Sequence, residues 1–377
     1  MLLEAGSSNS DAANLSAADR FTVAFAPDSP LNWLYKTTPQ NQLSGQEIDY
    51  SRGKGLGGST AINFCGWTVG PSDDYDEWAD MVDSERFGWK NVNRVLKRVE
   101  NLDPSIPDER MSKYLGAKGE EHSSSGNVDL TYGDTWIPDI ADIYIAAEQS
   151  GHRINPDVNN GDPIGMGMGS VCIAKGIRAT SASAYLSRSP PNLTILPNTP
   201  VARILFDRKR ATGVQTVDGR KVFAQKEVIV SGGALNTPQI LKLSGVGPSE
   251  ELRKHNIPIV LDSPMVGENL QDHCFSAAGI LMEKDTTALA GPGSQSPTPM
   301  GWFKLPNVMS SSEFKNLPAR AQKHMHKPTV PVIEIATVSI AIFEHLSDDT
   351  LTYCSTLHHP SSTTSQQTPK QSLAVYV

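Results

Sequence analysis

The chain has 377 residues, of which 38% are hydrophobic and 7% aromatic, and a formal net charge of −8. That length suits two domains or one large two-part enzyme, and the acidic balance argues against nucleic acid or an anionic membrane as partner. Four cysteines, Cys65, Cys172, Cys274 and Cys354, are too scattered for a disulfide framework or a zinc site.

The opening "MLLEAG" reads as the end of a buried strand closed by a turn glycine. It has neither the basic start nor the apolar run of a signal peptide. No run approaches the roughly 18 apolar residues of a membrane span, so the expectation is no membrane and, by default, a cytoplasmic location.

The next feature is "SRGKGLGGSTAIN", residues 51–63, with four glycines in six residues ahead of an expected helix start. Bare backbone of this kind lets N–H groups converge on a phosphate, helped by a following helix N-terminus. Gly53, Gly55 and Gly58 spell a dinucleotide fingerprint, which suggests an NAD-dependent dehydrogenase. The preceding "GQEIDYSR" is too polar for the buried strand such a motif needs, and Lys54 stands on the wrong side of the last glycines for a Walker loop. A plain surface loop is the other reading of the same residues.

Residues 72–100 carry helical spacing, with Trp89, Val92, Val95, Leu96 and Val99 on one face. A further helix is expected from Asp134, ended by Gly151, before a loop rich in Asn, Asp and Gly. Beyond residue 190 the texture becomes short strands: "LTILPN", "VARILFD", a hairpin at Asp218-Gly219, and "KEVIVSGG" as a compact apolar strand. "NTPQILKLSGVGP" follows as a turn and helix, with Asn236 or Thr237 as N-cap and Pro238 in the first turn. Strand, glycine turn and helix in that order argue for parallel βα architecture. After about residue 283 the chain becomes turn-rich and then polar and low in complexity, a poorly specified remainder.

Taken together, "LLEAG", "RGKGLGGSTAIN" and "GALNTPQILKLSGVGP" resemble the glucose–methanol–choline (GMC) family of FAD-dependent oxidoreductases. The first signature matches at Gly53, Lys54, Leu56, Gly57, Gly58, Ser59, Thr60, Ile62 and Asn63, with Trp67, Gly70 and Asp76 in register. "NWLYKTTPQ", "RATSASAYL" and "MVGENLQDH" extend the resemblance over residues 1–283.

The resemblance implies an α/β fold: a Rossmann-like FAD-binding domain (residues 1–70 and 176–283), an α+β substrate domain (71–175) and an incomplete region (284–377). It implies FAD as cofactor, a small-molecule alcohol as substrate, hydride transfer to the flavin, and oxygen or another electron acceptor to reoxidise it. The cofactor contacts it implies are Glu4 on the adenosine ribose, and Gly57, Gly58, Ser59 and Asn63 along the pyrophosphate and flavin. Val201 would lie at the adenine, Ser231 and Gly232 beside the cofactor, and Asp272 and His273 near the flavin, with His273 structural rather than catalytic. Ser59 and Thr60 equally suit N-capping of the next helix.

The family's covalent histidine position lacks an imidazole in "TAIN", so the flavin is expected to be non-covalent. No catalytic base is assigned. His324, His326, His345, His358 and His359 lack the family's sequence neighbours, and a metal site from His324, His326 and Glu334 is the lesser reading of the first two. The chain reads as truncated at both ends, which leaves an alternative: a catalytically inactive fragment.

Overall fold

The computed structural model describes residues 1–9, 26–116, 121–134, 136, 140–273, 277–282, 298–342 and 370–376. The chain divides into two compact units.

The first unit comprises Met1–Asn9, Pro30–Gly58 and Arg188–Cys274. Its opening strand, Leu2–Leu3, runs parallel to Ile195–Leu196, with Leu2 N donating to Thr194 O (2.8 Å) and Glu4 N to Leu196 O (3.0 Å). Val201–Asp207, Arg210–Thr216 and Lys221–Phe223 form an antiparallel sheet whose second hairpin turns at Asp218-Gly219, as the sequence suggests. Val246–Gly247 and Leu261–Asp262 are parallel and flank the helix Ser249–Lys254, a strand–helix–strand unit. Asp262 accepts from Ser249 N at the start of that helix, and Leu252 is its buried anchor.

Two expectations fail in this unit. The apolar run "KEVIVSGG" forms no strand, and Ile229 within it is 78% exposed. A strand needs a ladder partner for its N–H and C=O groups, and no described segment pairs with this run. The helix after it starts at Gly233 and runs to Leu243, so Pro238 lies inside it and neither Asn236 nor Thr237 is the cap. Asn236 instead accepts from Tyr35 Oη at 2.7 Å, a tertiary bond that removes it from capping.

The second unit contains Ser59–Ser187 and Phe275–Val377 with the short Ser10–Ser29 segment. Its sheet is antiparallel and five-stranded, in the order Ala277–Met282, Lys370–Tyr376, Ile333–Ile342, Pro299–Phe303, Gly165–Met168. The stretch after residue 283, expected to be poorly specified, thus supplies three of the five strands. Helices Ser72–Val82 and Trp89–Val99 occupy the stretch of helical spacing. Asp76 accepts from Trp89 N at 2.9 Å and so satisfies the start of the second. Val95 departs from the expected apolar face and is 49% exposed. The helix Ile140–Gln149 ends at Gly151 as expected, with a φ of +76°.

Two apolar clusters form the core of this unit. One gathers Met111, Tyr114, Tyr132, Ile140, Tyr144 and Met168; the other gathers Cys65, Leu102, Val128, Leu130, Val171, Cys172 and Ile173. Among the described residues no helix is long and apolar enough to cross a membrane.

Candidate functional site

The glycine loop is held from below by the N-terminal segment of the same unit. Strand Leu2–Leu3 delivers Glu4, whose Oε1 accepts from Gly6 N (2.8 Å) and from Gly55 N (3.0 Å). The two backbones approach so closely that a Cβ at Gly6 would lie 2.5 Å from Gly55 N. Gly55 itself has φ +134°, and a Cβ there would meet the Asn9 amide at 2.4 Å. Asn9 Nδ2 donates to Leu56 O (2.9 Å), its Oδ1 accepts from Ser7 Oγ (2.7 Å), and Leu56 N donates to Ser7 O (2.9 Å). Residues 4–9 and 54–56 therefore interlock, and only glycine fits at the two crossing points.

Beyond the interlock the loop opens. Gly57 and Gly58 both have positive φ, and a Cβ on Gly58 would meet nothing within 4 Å. The expected helix is a single 3-10 turn, Gly58–Ala61, too short to provide a helix dipole. Thr60 Oγ1 accepts from Ser181 N at 3.0 Å, at the start of helix Ser181–Tyr185.

The other matched segments of the first unit converge on the same scaffold. Asn32, in "NWLYKTTPQ", accepts from Leu34 N and Arg52 N and donates to Ser51 Oγ. Lys54 Nζ lies 5.0 Å from the centre of the Trp33 ring, and Trp33 stacks on Tyr35. Asp272 accepts from Tyr50 Oη at 2.6 Å and from its neighbour His273 N, with the Arg52 guanidinium 3.9 Å away. That Tyr50 bond holds the Asp272 carboxyl below the usual carboxylate range and pushes the Tyr50 phenol up.

Val201 heads its strand, opposite Thr216, and is half-buried. Ser231 and Gly232 sit on the exposed stretch before helix Gly233–Leu243. Of the expected cofactor residues in this unit, Glu4 is bonded to the glycine loop. Asp272 is bonded to Tyr50 beside Arg52, and His273 N donates to Asp272.

Ser59 and Asn63 belong to the second unit. Ser59 O accepts from Ile62 N and Asn63 N, which closes the turn. Asn63 is then gripped by Arg178, whose Nη1 donates to Asn63 O (2.5 Å) and Oδ1 (2.9 Å). Arg178 is delivered by a tight hairpin, Ile173–Ala174 against Ile177–Arg178, that turns on Lys175 and Gly176, both at positive φ. Arg178 is 1% exposed, and its Nε and Nη2 have no hydrogen-bond partner among the described residues. Nothing in the sequence marks that role beyond the arginine of "RATSASAYL".

Among the described residues no group of three His, Cys, Asp or Glu is arranged to hold a metal ion. His324 Nε2 pairs with Asp74 Oδ1 at 2.7 Å, and His326 packs edge-on against Phe314. His345, His358 and His359 lie outside the described residues.

The donor set fits a dinucleotide cofactor. Glu4 Oε2 has no partner among the described residues, so it is able to accept from a ribose hydroxyl beside a loop of bare backbone. Residues 6–275 match the GMC oxidoreductase family, and the chain belongs to it. GMC oxidoreductases are FAD-dependent flavoproteins. The chain is 37% identical over 248 residues to an oxygen-dependent choline dehydrogenase of Paraburkholderia phymatum, covering 64% of this chain and 41% of that one. A counterpart from Yersinia pseudotuberculosis is 35% identical over 251 residues, covering 64% of this chain and 42% of its own. The chain thus spans about two fifths of the length of these relatives. Its fold is that of pyridoxine 4-oxidase from Mesorbium loti (TM-score 0.73, 22% identity, covering all of this chain and 65% of that one) and of Aspergillus oryzae formate oxidase (TM-score 0.76, 21% identity, 67% of that chain).

Proposed function

We propose that the chain is the FAD-holding part of an oxidoreductase that oxidises a small alcohol at its CH–OH carbon. The observation that carries this reading is the Glu4 carboxylate, which spends one oxygen on Gly6 and Gly55 and keeps the other available at the end of its strand. FAD, when bound, supplies the hydride acceptor. Glu4 Oε2 would accept from the adenosine ribose, and the backbone at Gly57 and Gly58, which carries no side chain, would let the pyrophosphate approach. Ser59 and Asn63, next along the chain, continue the cofactor-binding stretch, and Arg178 holds Asn63 in one orientation. Val201, Ser231, Gly232, Asp272 and His273 remain the proposed outer contacts.

The decisive test is the visible spectrum of the purified chain, followed by titration of the stripped protein with FAD. A flavin spectrum that survives gel filtration supports the reading, and folded protein without affinity for FAD overturns it. Acid precipitation should release the flavin into the supernatant, since residues 60–63 carry no imidazole.

A second reading is that the chain binds FAD without turnover. What favours it is the use of His324 in pairing with Asp74 and of His326 in packing on Phe314. Anaerobic addition of a panel of alcohols separates the two, because bleaching of the flavin requires hydride transfer from the alcohol.

A further inference from the structure

The cysteines Cys65 and Cys172 are brought together by strand register. Gly66 bridges Val171 in antiparallel fashion, so Cys65 stands directly opposite Cys172. Two bonds frame this bridge: Trp67 N donates to Ser170 O (2.9 Å), and Cys172 N donates to Cys65 O (2.7 Å). The Cys172 N–Cys65 O bond sets the two backbones side by side, with Cys65 itself at a φ of +64° rather than in extended conformation. Both are reduced thiols in the structure, and both belong to one buried apolar cluster.

The third member of the arrangement is Arg178. Its charge acts on both sulfurs, and its buried Nε and Nη2 are left without an acceptor. A buried guanidinium with two orphaned donors calls for an anion. A sulfenate formed at one of these cysteines has that charge.

We propose that Cys65 and Cys172 are a redox couple, a buried dithiol that a peroxide converts to a disulfide and that thereby locks the Cys65 segment onto residues 170–172. The Cys65 sulfur attacks one oxygen of hydrogen peroxide, the O–O bond breaks, and the departing hydroxide takes up a proton to leave as water. Cys172 sulfur then displaces the sulfenic hydroxyl, which leaves as a second water with the Cys172 thiol proton. Two thiols and one peroxide become one disulfide and two waters, the sulfurs losing two electrons and the peroxide gaining them. Burial pushes the Cys172 thiol up to about 12, so Cys172 must give up its proton to the departing hydroxyl as it attacks. The product ties down Asn63, whose Oδ1 already accepts from Cys65 N and whose carbonyl is held by Arg178. The inference is independent of the proposed alcohol oxidation.

The test is disulfide mapping of the full chain after treatment with hydrogen peroxide. The expected result is a cross-linked peptide pair containing Cys65 and Cys172, the loss of two titratable thiols per chain, and recovery of both with dithiothreitol. In C172S, dimedone should label Cys65 as the trapped sulfenic acid, and in C65S labelling of Cys172 should be at least tenfold weaker. Mapping the wild-type chain requires no substitution, so a variant that fails to fold does not decide the matter. Thiols that remain alkylatable after prolonged peroxide treatment would overturn the proposal. So would a disulfide that joins either cysteine to Cys274, to Cys354 or to another chain.

Discussion

His122 and Glu100 form a buried contact, with Nδ1 2.9 Å from Oε2 and side chains only 8% and 3% exposed. The other face of the imidazole meets Asp157 at 3.1 Å, so one histidine lies between two carboxylates. Glu100 also accepts from Trp67 Nε1, and Asp157 accepts from Asn159 N, whose side chain in turn bonds Val69 N and Trp67 O. The histidine thereby ties together the segment that follows the glycine loop and the 155–159 loop.

Stability should fall on the alkaline side. Burial opposes the charge on His122, but the hydrogen bonds and charges of Asp157 and Glu100 outweigh it and raise the pKa from 6.5 to about 9. A pKa raised in the folded state contributes stability that is complete below about pH 6.5 and is lost as pH climbs through about 9. A shift of that size corresponds to roughly 3 kcal/mol. Thermal unfolding between pH 6 and pH 10 should show this decline, and H122Q should be less stable at pH 6 and flatter across the range.

Glu4 should separate scaffold from ligand. Glu4→Ala leaves Gly6 N and Gly55 N without their acceptor, at about 1–3 kcal/mol for each amide that stays dry. Glu4→Gln keeps one oxygen for those amides and loses the negative charge. Urea unfolding should therefore register the alanine variant strongly and the glutamine variant weakly, whereas FAD affinity falls in both.

Gly55→Ala should unseat the loop. The new Cβ meets the Asn9 side chain at 2.4 Å, and the φ of +134° is one that alanine avoids. The cost should be about 2–4 kcal/mol, with loss of retained flavin on gel filtration. Gly58→Ala meets no neighbour, so its penalty should be confined to its φ of +52° and to any ligand against the loop. A larger loss of stability in Gly58→Ala than in Gly55→Ala would refute the interlock.

Arg178→Met should loosen Asn63. The substitution deletes both bonds to that residue while filling similar space. Asn63 is exposed and its Oδ1 keeps the Cys65 N–H, so the cost is the two lost bonds themselves, about 0.5–1.5 kcal/mol each. Amide exchange at residues 60–65 should accelerate first. Arg178→Lys should rescue part of the protection, since an ammonium can donate to the same oxygens but has no planar fork.

Local order was readable along the chain: the helices across residues 72–99, the Gly151 stop and the hairpin at Asp218-Gly219 follow from spacing and turn chemistry. So was the family, through the two long signatures. The failures share one cause. "KEVIVSGG" has the composition of a strand but finds no ladder partner, and Asn236 has the chemistry of an N-cap but bonds Tyr35, 201 residues away in sequence. Periodicity and propensity report only what neighbouring residues allow.

The sequence by itself therefore determined the chemistry of the glycine loop: glycines where backbone must come close, an acid at a strand end, and the family that combines them. Only the tertiary structure decided which polar groups meet. Glu4 reaches Gly55 across 51 residues, Arg178 grips Asn63 across 115, and His122 sits between Glu100 and Asp157. Each of these contacts depends on the path of the chain between its partners, and that path is set by burial of the apolar clusters rather than by any local pattern.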